Sequence, residues 1–124
     1  MADSNRYADW FKKAQADLNG AKILFEHEAD YSLVAFHCQQ AIEKALKGFI
    51  LKSSEKLLEG HSLVYLVKQA ALYDDKVNIY LKECAFVNQF YVATRYPADM
   101  PDDITCDEAE RAIEIACDIL KYLL

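Results

Sequence analysis

The segment "YSLVAFHCQQAIEKALKGFILKSS", residues 31 to 54, constrains the fold more than any other part of the chain. Its apolar residues Val34, Cys38, Ala41, Ile42, Ala45 and Phe49 recur at helical spacing, which predicts a helix from about Tyr31 to Ser53. The apolar arc is too wide for a helix lying on a surface. It calls for a central helix with neighbours on more than one side.

The remaining segments supply those neighbours. Trp10, Ala14, Leu18, Ala21, Leu24 and Phe25 form one face of a first helix, which is expected to start at a cap on Asp3 or Ser4 and run to about Glu28. Leu63, Leu66, Val67 and Ala70 mark a shorter third helix, with Gly60 releasing the chain ahead of it and His61 or Ser62 near its cap. A fourth begins around Asp74 to Lys76, carries Val77, Tyr80, Leu81, Cys84, Val87 and Tyr91, and stops near Arg95 or Tyr96, ahead of Pro97. Thr105 and Glu108 form a Thr-x-x-Glu capping box. Ala109, Ala112, Ile113, Ala116, Ile119, Leu120 and Leu123 then give the last helix its apolar face. No stretch reads as a strand, and only three Gly and two Pro occur in 124 residues. The expectation is an all-α, antiparallel up-and-down bundle of four to five helices, forming one domain over residues 1–124.

Composition narrows the functional classes. With 53% hydrophobic and 27% charged residues the chain suits a soluble globular protein, and a formal charge of −6 opposes broad adhesion to DNA or anionic lipid. No apolar run reaches the length of a membrane span, and the N-terminus lacks a signal pattern, so a cytoplasmic location is expected. Cys38, Cys84, Cys106 and Cys117 are scattered, with no Cys-x-x-Cys pair, and read as reduced core thiols. The three histidines His27, His37 and His61 lack metal-ligand spacing, so neither a metal site nor a cofactor is expected.

Three features carry chemistry. His37, Gln40, Lys44 and Lys47 share one helical face. The lysines could hold phosphate as point charges and Gln40 could bond a base or sugar. Equally, Glu43 pairs with Lys47 at the favoured spacing and the row keeps the helix wet, the reading that periodicity alone favours. "RYP" at 95 to 97 offers Arg95 to a phosphate, with Tyr91 or Tyr96 to stack on a base, although a cation at a helix C-terminus is favoured without any ligand. His61 opens the third helix, where exposed amides attract anions and an imidazole can exchange a proton, but where a cap is the commoner role.

"DWFKKAQADLNGAKILFE", "YSLVAFHCQQAIEKALKGFIL", "GHSLVYLV", "YVATRYP" and "DEAERAIEIACDIL" stand in an order and spacing that resembles HEPN domains over nearly the whole chain. The resemblance implies a bundle of four to five helices that commonly forms a homodimer. It also implies a minimal nucleotidyltransferase as partner, frequently in a toxin–antitoxin pair, and nucleotide or RNA binding. Many members are metal-independent ribonucleases with an Arg-x4-6-His motif in a composite site at the dimer interface. Here no histidine occurs from Ala98 to Asp102 after Arg95, and neither Arg6 nor Arg111 supplies the motif. The expectation is therefore a non-catalytic binding subunit, with Gln40, Lys44, Lys47, His61, Tyr91, Arg95 and Tyr96 around the ligand. The alternatives are a ribonuclease with an unconventional site on His61 and Arg95, and a structural dimerisation module.

Overall fold

A computed structural model describes residues 3–91 and 103–124. Five α-helices and a short 3-10 helix make up the described chain: α1 Tyr7–Glu26, α2 Tyr31–Ser54, α3 Leu63–Ala70, the 3-10 turn Asp75–Tyr80, α4 Leu81–Asn88 and α5 Cys106–Leu123. No strand occurs among the described residues, and the expected all-α bundle is what forms.

The wide apolar arc of α2 makes it the central helix. It packs against α1 on one flank and α5 on another, while α3 and α4 close over its interior. Ile42, Leu46 and Ile50 of α2 are all but fully buried, and they join Leu18 of α1, Leu66 of α3 and Ile119 of α5 in one continuous core. Burying such side chains stabilises the fold by roughly 1.5–3 kcal/mol each.

A short turn reverses the chain between α1 and α2. Glu28 donates its N–H to Phe25 and Ala29 donates to Leu24, the paired bonds of a Schellman motif, and Glu28 takes the left-handed φ of 55° that the motif requires. Asp30 then caps α2 by accepting from the Ser32 N–H at 2.7 Å. Along the seam the two helices approach closely at Gly48. A Cβ there would lie 2.8 Å from the Phe11 ring and 3.1 Å from the Trp10 Cβ. Glycine at this position sets how near α1 can come.

Two expected boundaries differ. The first helix starts at Tyr7 rather than near Asp3 or Ser4, and its N-cap, Arg6, makes no side-chain cap. Ser4 is drawn into other bonds. Its carbonyl accepts from the Trp10 indole at 2.9 Å, and its hydroxyl donates to Asp9 at 2.7 Å, so residues 4–6 fold back over the first turn instead of extending it. The fourth helix is divided, with 3-10 winding over Asp75–Tyr80 before regular α geometry begins at Leu81. Asp74 holds that tight turn by accepting from the Lys76 N–H and from the Tyr122 hydroxyl of α5. Its expected stop near Arg95 or Tyr96, and most of the acidic loop, lie outside the described residues. The capping box of α5 is present in both directions, with Thr105 and Glu108 bonded at 3.0 and 3.1 Å.

The cysteines also differ in part from a set of core thiols. Cys38 and Cys84 are buried, and burial pushes each thiol up to about 12. Cys106 is exposed in the first turn of α5, and Cys117 is half-buried.

Three outcomes follow from these contacts. Glu28→Gly should raise stability by about 1 kcal/mol in urea unfolding, because glycine adopts the left-handed turn without the Cβ conflict. Gly48→Leu should lower it by about 1–3 kcal/mol, since the added atoms meet both Phe11 and Trp10. In a thiol-modification assay of the native protein at pH 8, Cys106 should react first, while Cys38 and Cys84 should react only on unfolding.

Candidate functional site at the junction of α2 and α3

The row predicted on α2 is split by its neighbours. His37 and Lys44 turn towards α1, where Asp17 accepts from Lys44 Nζ at 2.6 Å and lies 3.2 Å from His37 Nδ1. This cluster is largely shielded, with the Asp17 side chain 15% exposed, and it clamps α1 to α2 through groups 20 and 27 residues apart in sequence. Lys47 instead pairs within its own helix, beneath Trp10 of α1. Its ammonium lies 3.2 Å from Glu43 Oε2 and 5.9 Å from the centre of the Trp10 ring, and its side chain is only 8% exposed. The Glu43–Lys47 pair is thus present, but it is buried and not part of a wet face.

Glu43, expected only as the partner of Lys47, is the hub of a larger group. Its Oε2 faces Lys47, while Oε1 accepts from Gln39 Nε2 at 3.3 Å and lies 3.0 Å from His61 Nδ1. Gln39, wholly buried, also donates to the His61 carbonyl at 3.1 Å and accepts from Gln40 Nε2 at 2.7 Å. A carboxylate so deep in the protein is tolerable only because each oxygen has a charged or polar partner. A local signal for this hub existed in the i, i+4 spacing of Gln39, Glu43 and Lys47. Nothing local marked His61 as the third partner.

The backbone around His61 is fixed independently. Gly60 adopts a φ of 96°, which glycine supplies without strain. Ser62 caps α3 by accepting from the Tyr65 N–H, and Asn88 of α4 accepts from the Leu63 N–H at 2.8 Å. Chain entry into α3 is thereby pinned from α4. Past the end of α4, Tyr91 stacks on the His61 ring, with 5.1 Å between centroids and 19° between planes. The His61 side chain remains half exposed.

Gln40, Lys47, His61 and Tyr91 therefore belong to one connected group, which Gln39 and Glu43 complete. Lys44 belongs with Asp17. Arg95 and Tyr96 lie outside the described residues. Two open hollows occur elsewhere, of about 340 Å³ and 410 Å³. The first is lined by Glu28, Asp30 and Asp103, whose charge repels phosphate. Among the described residues no group of His, Cys, Asp and Glu could hold a metal ion, and no helix is long and apolar enough to cross a membrane.

A central helix walled by α1 and α5 is a helical-bundle architecture that this chain shares with known proteins. The HEPN domain profile matches residues 7–124, and the chain belongs to the HEPN family. Among solved structures it is similar to TT1696 from Thermus thermophilus, with 31% identity, 97% of each chain covered and a TM-score of 0.83. It is also similar to ST0689, an archaeal HEPN homologue, with 30% identity, coverage of 95% of this chain and 94% of that one, and a TM-score of 0.73. No curated protein matches the sequence.

If Glu43 is the hub, Glu43→Ala should cost about 3–5 kcal/mol in urea unfolding, because it strands the buried Lys47 ammonium. Asp17→Ala should cost less, since Lys44, with a side chain 26% exposed, recovers water.

Proposed function

We propose that this protein is a nucleotide- or RNA-binding HEPN subunit that does not itself cleave RNA, and that it acts as a homodimer with a minimal nucleotidyltransferase partner in a toxin–antitoxin-type module. The observation that carries the binding reading is the half-exposed His61 ring, stacked on Tyr91 and anchored from beneath by Glu43. Aromatic faces held rigid beside an imidazole suit a base and a sugar. Arg95 and Tyr96 follow Tyr91 closely in the chain, so the reading assigns the phosphate to Arg95 and a stacking role to Tyr96. Lys44 and Lys47, also expected at the phosphate, are engaged by Asp17 and Glu43, so the reading rests its phosphate contact on Arg95.

The lack of Arg-x4-6-His favours binding without cleavage: Arg95 could stabilise developing charge, but no histidine stands at the usual position after it. Dimerisation has support in the segment after α3, where Leu72 and Ile79 are 72% and 67% exposed.

Calorimetric titration with ATP and with a short RNA should give binding that Arg95→Ala and His61→Ala each weaken about tenfold or more, as loss of a charged hydrogen bond implies. RNA incubated with the protein in chelator should stay intact. Absence of binding, with and without the partner protein, contradicts the proposal. Cleavage that His61→Ala abolishes replaces it with a ribonuclease.

A further inference from the structure

His61 is held by a group that only accepts. Glu43 Oε1 lies 3.0 Å from Nδ1 of the ring, and an ionised carboxylate has no proton to give. The bond therefore places a hydrogen on Nδ1 in both the neutral and the cationic imidazole. The proton that comes and goes is the one on Nε2.

Glu43 has little freedom to release the ring. Lys47 holds Oε2, and Gln39 holds Oε1 while also gripping the His61 carbonyl. Gln40 orients Gln39 in turn. On the other side, Tyr91 lies face to face with the imidazole, a geometry that fixes the plane of the ring without using its nitrogens. Among the charged side chains described around this group, Glu43 and Lys47 compensate each other, so the ring is not needed to balance the buried carboxylate.

We infer that Glu43 is a positioning residue that commits His61 Nδ1 as a donor and leaves Nε2 as the proton-exchanging atom of the ligand face. In the neutral ring Nε2 is then an acceptor. In that neutral form the ligand group it selects is a hydroxyl that can donate, such as a ribose hydroxyl, whereas an unprotonated phosphate oxygen has nothing to offer it. The choice of a ribose hydroxyl rests on the nucleotide-binding proposal; the tautomer does not.

Nitrogen-15 NMR of the wild-type imidazoles, recorded where the ring is neutral, should show Nδ1 of His61 protonated and Nε2 bare. A majority of the opposite tautomer overturns the inference. The double variant Glu43→Leu/Lys47→Met removes the buried pair together, which preserves volume and leaves no orphaned charge. In the folded double variant the His61 tautomer should move towards Nε2–H, and an unchanged Nδ1–H form would overturn the role of Glu43. For the ligand, a short oligoadenylate should bind about three- to tenfold more tightly than its deoxy counterpart, the worth of one hydrogen bond. His61→Phe, which keeps a ring to stack on Tyr91, should erase that difference. Equal affinities in the wild type overturn the hydroxyl assignment. Binding of neither strand overturns the nucleotide reading, and the NMR experiment still decides the tautomer.

Discussion

A carboxylate lies inside this helical bundle, and the geometry of the α2–α3 junction follows from the need to satisfy it. Glu43 sits on the inward side of the central helix with its side chain 5% exposed. An unpaired charge there would cost several kcal/mol, more than a small domain can readily spare. Lys47 answers it from one turn further along α2, and Gln39 from one turn before. The remaining direction is filled by His61, from the opposite wall. Local helix geometry thus supplies two partners, and tertiary structure supplies the third.

That third contact ties stability to the exposed site. The carboxylate reaches from the core to a ring that meets solvent, so whatever holds Glu43 also holds His61. The close seam between α1 and α2 supports it indirectly. Gly48 lets Trp10 and Phe11 approach, and Trp10 covers the Lys47 ammonium. On the far side, Asn88 and Tyr91 bring the end of α4 against the start of α3. The imidazole is fixed by groups from several parts of the chain.

The architecture was legible in the sequence because each helix announces its buried face locally. The broad arc of α2 told of neighbours on several sides, and the capping box at Thr105 marked the start of α5 to the residue. Ser4 was harder: its hydroxyl suited a cap, but the Trp10 indole and Asp9 draw it into a turn ahead of the helix. The site was legible only as a set of residue types. His37, Gln40, Lys44 and Lys47 do share a helical face, yet Asp17 captures two of them and Glu43 a third. Asp17 is 27 residues from Lys44, and no local spacing reveals such a partner. Glu43 itself was visible as half of an ion pair, while its depth depends on α3 folding over it.

The central claim is that the entry to α3 and the end of α4 form the ligand face of this HEPN protein. The most direct measurement is an amide NMR titration of the isotopically labelled protein with ATP and with a short oligoadenylate. The account predicts that the largest shifts fall on residues 60–66 and 88–91, with Glu43 and Lys47 responding through His61. Shifts confined to the outer surface of α1 or α5, with the His61 and Tyr91 amides unmoved at saturation, would contradict it.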